Sequence, residues 1–263
     1  MTVAERINAE RLVLAGWSRA ILLQLAHPLV AAGVAEHSSF RAGLFQAAVR
    51  LHHTVAAMRR LTFGAPDEAR ATLDGIKAIH ARVNGTLAAA VGPFPAGTPY
   101  SAEDPALVLW VHVTLLESLP LVYDTVVAPL TTSERDAWCR ESAPLAHALG
   151  AGDDVPETWA GLQSCIGHFH DSGRIIVGDT ARALARDVLA PRLSALVAPA
   201  RAMNRTVTVG LLPAHIRAQY GFAWHGDDDR RLSRALRVLR LVRRAMPQAI
   251  AHWPDARAAR RGP

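Results

Sequence analysis

Several things are scarce in this chain, and each scarcity closes off a class of function. Its 263 residues include two cysteines, Cys139 and Cys165, too far apart to suggest a disulfide framework or a cysteine-based zinc site. Aromatic residues make up 6% of the chain, and Lys77 is the sole lysine. No Gly-rich phosphate loop occurs, which removes the nucleotide-binding turns. There is no Gly-x-Ser-x-Gly elbow for a serine hydrolase. The paired Glu-x-x-His motifs of a di-iron carboxylate bundle are missing as well. His168 and His170 stand two apart, which points them to different faces of a helix.

Uninterrupted apolar runs are also lacking. Residues 20–34 are apolar but short, and Gln24, His27 and Pro28 break the run. Residues 105–130 are long enough to cross a bilayer, yet contain His112, Glu117, Pro120 and Asp124. Buried helices of a bundle are the expectation for both. The amino terminus does not run from basic to apolar as a signal peptide does. With the few cysteines, this gives a reduced, cytoplasmic location as the expectation.

What the chain does have is alanine, and half of its residues are hydrophobic. That composition favours close-packed helices. The apolar periodicity predicts one helix over residues 4–25, bent at Pro28, then a segment over 29–36 and a helix over 44–62. The helix from Asp67 is expected to run through Val91, with Gly92-Pro93 ending it. Ser101 reads as the cap of a helix over 104–128, and Thr132 or Ser133 as the cap of one ending at Leu149. Helices over 156–170, 174–189, 192–211, 213–220 and 230–246 complete an all-α, single-domain multi-helix bundle over residues 1–263, with 207–212 open to an extended reading. No strand alternation is convincing.

The net charge is +6, and seven arginines fall between Arg230 and Arg244, with Arg257, Arg260 and Arg261 beyond. Aromatics do not interleave with them, so nucleic acid is not an expected partner. A solvated helix face is the plain reading, and contact with a membrane surface the sharper one.

The candidate chemistry lies in the first half. Arg50, His53 and Thr54 share one helix face by their spacing, beside the apolar Leu51, Val55 and Met58. His80 sits among Ile76, Ile79 and Val83, with Gly85 permitting close approach of another group. His27, His37 and His112 also occur in apolar helical context. Polar side chains on apolar faces are costly to bury unless something satisfies them. A haem does so through an iron that takes imidazole and propionates that take arginine. With zinc, di-iron and hydrolase sites eliminated, the residues leave a haem or no cofactor at all.

At these residues the chain resembles a known family: bacterial rubber oxygenases, or latex-clearing proteins, and the fungal MpaB oxygenases. The matching segments are residues 26–38, Arg50-Leu-His-His-Thr54, Phe63-Gly64, Ile79-His80 with Val83 and Gly85, residues 100–105 leading to Trp110-Val-His112, and Leu211-Leu-Pro213 with Arg217, Tyr220 and Gly221. Together they span roughly residues 10 to 260. The resemblance implies a helical, globin-like packing around haem b, with His80 as the iron ligand. It implies that Arg50 and Thr54 match an Arg-x-x-x-Thr signature, Arg50 pairing with a propionate. Latex-clearing proteins carry a lysine where this chain has His53, so His53 becomes a candidate sixth ligand or distal acid–base group. Glu36 corresponds to a glutamate proposed as base in the rubber-cleaving members. His27 and His112 complete the candidate cofactor-binding set.

The implied activity is dioxygen-dependent cleavage of a C=C bond in a small lipophilic substrate, the electron donor being unknown. Rubber-cleaving members are exported and longer, so polyisoprene is not the expected substrate. Peroxidase-like or dehydrogenating chemistry on a natural product, a non-enzymatic bis-histidine haem protein, and a helical scaffold without cofactor stand as alternatives.

Overall fold

The first helix breaks earlier than its apolar pattern suggests. In a computed structural model that describes residues 1–37, 44–189 and 198–259, α1 covers Val3–Ala9, a 3₁₀ turn covers Arg11–Val13, and α2 covers Leu14–Leu25. The helix expected over 4–25 is therefore two helices and a turn. The cause is Glu10, whose backbone is extended (φ −80°, ψ 119°) and pairs with His252. Its buried carboxylate accepts two bonds from Arg243, at 2.7 and 2.6 Å, and lies 2.8 Å from His252 Nε2. A straight helix through Glu10 would lose that backbone pairing with the far end of the chain.

The bend at Pro28 is sharp. α2 and α3 (Pro28–His37) meet at 108°. Proline offers no N–H to continue the ladder, and the chain tightens instead, with His27 N donating to the Gln24 carbonyl at 3.1 Å. α4 (Leu44–Phe63) and α5 (Pro66–His80) then pack against each other across the Gly64-Ala65 turn.

α5 ends at His80, not near Val91. After it, Asn84–Thr86 (β1) and Pro99–Ser101 (β2) pair antiparallel, with Gly85 opposite Tyr100. Asn84 turns its amide onto the Ala81 carbonyl at 3.3 Å, a local bond that competes with helix continuation. This small hairpin lacks the alternating length that marks a strand in sequence.

α6 (Pro105–Val126) is the central helix. Its cap is Asp104, which accepts from Ala106 N at 2.9 Å, and not Ser101. Pro105 explains the choice, because its fixed φ and missing N–H suit the first helical position. α7 (Thr132–Ala148) is capped one residue earlier than expected, by Thr131 in a reciprocal box with Glu134. α8 (Trp159–Asp171), α9 (Asp179–Leu189), α10 (Ala198–Gly210), α11 (Ala214–Gln219) and α12 (Gly226–Ala245) follow, and the 207–210 stretch is helical. Two short helices, α13 (Gln248–Ala251) and α14 (Pro254–Ala259), lie beyond the expected set.

The core is built where α2 crosses α6. Arg19 is buried between them. It donates to the Leu211 carbonyl (2.7 Å) and to Ser118 Oγ (2.6 Å), and pairs with Glu117 at 2.8 Å. Trp138 of α7 donates to the Leu116 carbonyl at 2.8 Å, and Phe169 of α8 lies 5.0 Å from the Trp110 ring. Among the described residues one helix, α6, is long and apolar enough to cross a membrane, and most of it is buried within the bundle.

Two glycines predict opposite responses to alanine. A Cβ on Gly16 would sit 2.7 Å from the Ser118 carbonyl oxygen, forcing α2 from α6. A Cβ on Gly75, inside α5, meets nothing within 4 Å. Urea unfolding should show Gly16→Ala destabilising by about 1–3 kcal/mol and Gly75→Ala stabilising by about 0.5–1 kcal/mol. Equal shifts of either sign would contradict this packing.

Candidate functional site

α5 is an amphipathic helix none of whose residues is buried. Ala69, Leu73, Ile76 and His80 fall on one face by their spacing, and all four are only half-covered. Asp67 and Glu68 in its first turn and Lys77 and His80 in its last suit the helix dipole. At its end Lys77 and His80 form one wall of a cleft of about 370 Å³. Glu103 and residues 147–150, at the end of α7, form the rest. The volume lies within the roughly 300–1,000 Å³ of small-molecule sites. Burial holds His80 below the usual imidazole range, with Glu103 opposing.

His147 was not singled out by sequence, where it reads as an ordinary basic residue in a last helical turn. Its Nδ1 lies 2.9 Å from the Gly152 carbonyl oxygen. A carbonyl only accepts, so Nδ1 carries the proton, and in the neutral ring Nε2 keeps a lone pair. His112, on α6, is close enough to His147 for their charges to repel. Burial first, and that repulsion second, push His112 down to about 4. Its Nε2 is buried without a hydrogen-bond partner.

Glu36 belongs to a different place. At the end of α3 it accepts a 2.5 Å bond from the Tyr100 hydroxyl of β2. Burial, then this carboxylate, raise the Tyr100 pKa. Gly85 makes the pairing possible, since a Cβ there would lie 2.6 Å from Tyr100 Oη and 3.2 Å from Glu36 Oε2. His37 Nε2, 2.9 Å from the Asn84 carbonyl, ties α3 to the hairpin a second time. Glu36 also edges a cavity of about 130 Å³ walled by Ala31, Ala32, Ala35, Leu87 and Val91. That cavity and the His80 cleft share no lining residue.

His27 is buried at the α2–α3 bend. Its Nδ1 accepts from Leu29 N at 3.3 Å, and its ring lies 5.3 Å from that of Phe94. Burial first, then Arg174, push it down to about 4 against Asp104. These are the surroundings of a core histidine. On α4, His53 and Thr54 are exposed and Val55 is buried, so the helix does have an inner side. Arg50 stands on the same helix, and its side chain lies outside the described residues.

The structure thus places His80 and His147 on one cleft, with His112 within electrostatic reach of His147, and sets Glu36 on a separate cavity and His27 at the α2–α3 bend. Among the described residues, no three His, Cys, Asp or Glu side chains are grouped to hold a metal ion unaided. The donors on the cleft are single imidazoles from separate helices, which suits a group that brings its own equatorial ligands.

Residues 5–241 match the family model described as "ER-bound oxygenase mpaB/B'/Rubber oxygenase, catalytic domain". No curated protein and no solved structure gives a match.

The depressed imidazoles set a pH dependence. His27 and His112 titrate near 4 when folded and near 6.5 when unfolded. Between those values the unfolded chain binds more protons, so stability falls as pH drops from about 6.5 to about 4. Proton-detected titration should place both midpoints well below 6. Removing either ring (His27→Gln or His112→Gln) should flatten the acid limb of an unfolding-versus-pH curve. Midpoints near 6.5 for both would overturn the burial argument.

Proposed function

We propose that this chain, which belongs to the ER-bound oxygenase mpaB/B′ and rubber oxygenase catalytic-domain family, is a haem b-dependent enzyme cleaving a C=C bond of a small lipophilic substrate with dioxygen. Family membership gives the coarse function, an oxygenase. The observation that carries the finer reading is His80: a half-buried imidazole held below its usual pKa, at the end of an incompletely covered apolar helix face, on the wall of the larger cleft. An imidazole that stays neutral at pH 7 is a ready iron ligand.

The residues present fit such a group. His80 would hold the iron, and Lys77, one turn earlier on the same cleft, offers an ammonium to a propionate. A bound haem supplies the activation of dioxygen that adds both oxygen atoms across the alkene, giving two carbonyls. Arg50 and Thr54 would hold the group's edge in the roles the family resemblance gives them. His53 would serve as a distal hydrogen-bonding or ligating residue, since it occupies the family's distal lysine position. Glu36, its carboxylate fixed by Tyr100, would serve as the base the family resemblance makes it for a substrate that reaches from the His80 cleft to the separate cavity Glu36 edges. The alanine-lined cavity beside it suits an alkyl portion of a lipophilic molecule.

One observation favours a second reading, a bis-histidine haem protein without turnover. Nε2 of His147 keeps its lone pair in the neutral ring, and His147 lines the same cleft as His80.

The test is a visible spectrum of the purified protein, oxidised and dithionite-reduced, with and without carbon monoxide. A Soret band that shifts on reduction and again with carbon monoxide is expected, together with loss of stoichiometric haem in His80→Ala. A six-coordinate spectrum that resists carbon monoxide and cyanide would favour the second reading. A featureless spectrum after haem is added back, or full haem retention in His80→Ala, would overturn the assignment to His80.

A further inference from the structure

Exposed large apolar side chains are few on this protein, and they are concentrated. Among the described residues there are six, and four of them fall within residues 238–250: Val238 (43% exposed), Leu241 (57%), Val242 (43%) and Ile250 (56%). The first three stand at i, i+3 and i+4 on α12, so they adjoin one another along one flank of the helix. Ala235, three residues before Val238, is buried where α12 packs against α10 and α6, so this apolar flank runs from the packed side out to Leu241, which stands opposite the covered positions 232, 236, 239 and 243.

Arginines share that outward face. Four of the seven on α12 are engaged. Arg230 pairs with Asp227, Arg231 with Asp228 (2.9 Å) and Arg243 with Glu10, while Arg240 donates to the Thr125 carbonyl at 3.0 and 2.7 Å. The other three, Arg234, Arg237 and Arg244, are exposed and have no acidic partner among the described residues. Arg234, Arg237, Leu241 and Arg244 are spaced three, four and three apart, which sets the unpaired charges along the edge of the apolar stripe.

We propose that this face of α12 docks on an anionic lipid bilayer. The partner must take apolar side chains and guanidinium groups together along about 15 Å of helix. A leaflet carrying anionic headgroups does both, its acyl boundary accepting Leu241 and its neighbours while the arginines stay at headgroup level. A nucleic acid has nothing to gain from Val238, Leu241 and Val242, and no aromatic stands on the stripe to stack a base. A second copy seated on the same patch would bring two rows of unpaired arginines face to face.

This inference is independent of the haem reading. Arg240 anchors α12 at Thr125, near the end of α6, whereas Glu103 of the cleft precedes the start of that 22-residue helix. The two ends are about 30 Å apart, so changes in the stripe leave the cleft intact.

The experiment is co-sedimentation of the full chain with vesicles of phosphatidylcholine alone and of phosphatidylcholine mixed with phosphatidylglycerol, at low and physiological salt. Binding to the mixed vesicles only, weakening with salt, is expected. Arg234→Gln/Arg237→Gln/Arg244→Gln should weaken it roughly hundredfold, about fivefold per arginine. Leu241→Ser should weaken it roughly tenfold without changing its salt dependence. All four positions are exposed, and an unchanged circular dichroism spectrum checks that the variants are folded. Equal binding to neutral vesicles, no binding to either, preference for duplex DNA or RNA over the mixed vesicles, or a dimer abolished by Leu241→Ser would each overturn the proposal.

Discussion

The fold depends on how the chain disposes of the carbonyl groups at the end of α2. Pro28 cannot donate to Gln24, whose carbonyl takes His27 N instead, and where the helix ends the Leu22 and Leu23 carbonyls are also reached by side chains. Tyr220 donates its hydroxyl to the first at 2.6 Å, and Trp110 its indole N–H to the second at 3.2 Å. Both carbonyls also accept from Ala26 N at 3.1 Å, so each side-chain bond is a second one and contributes about 1 kcal/mol net. The two bonds dock α6 and the α11 region on the one point where α2 stops. The redirected α3 then lies on the hairpin, where Glu36 meets Tyr100 and His37 meets Asn84. A proline read from sequence as a kink thus sets the position of a candidate catalytic carboxylate.

Two buried ionic groups hold the rest in register. Arg19 links α2, α6 and the turn after α10; Glu10 links the amino-terminal helices to Arg243 and His252 near the far end of the chain. Buried charges carry a desolvation penalty that often cancels their attraction, so their net contribution to stability is small. Losing one partner is another matter, since it strands a charge in the core. These pairs therefore act as constraints on which surfaces meet more than as a source of stability. Glu10 shows the cost on local structure, because its pairing with His252 interrupts a helix that residues 4–25 would otherwise form.

That interruption marks the boundary of what the sequence made legible. The all-α class, the bend at Pro28, and the helices over 44–63, 105–126 and 226–245 follow from periodicity, capping and proline, all local effects. What could not be read is set by distant partners. Nothing near Glu10 announces a residue more than two hundred positions away, and nothing after His80 announces a hairpin closed by Tyr100. The caps moved by one to three residues, since Pro105 and the Thr131–Glu134 box selected among several plausible oxygens. The same division holds at the candidate site. His80 stood out through its family resemblance and its apolar neighbours, and Gly85 through the close approach that Tyr100 and Glu36 turn out to require. His147 was invisible because only tertiary packing brings the end of α7 to the end of α5.

His80 on the cleft and His112 on α6 make a last physical argument. Burial holds His80 and His112 below their usual range, so these two rings are kept free of imidazolium charge at pH 7. His112 also buries a nitrogen that finds no partner, a cost of about 1–3 kcal/mol, and α5 leaves Ile79 61% exposed beside His80. Both features are unfavourable for a protein shaped by stability alone, and binding sites are where such costs are tolerated. A ligand held by His80 in the cleft that covered the apolar end of α5 would offset the second of these costs. Such a ligand would also favour the folded state in proportion to its occupancy. Local stability at the α5 end and chemistry at the cleft are then one linked property, governed by the same few side chains.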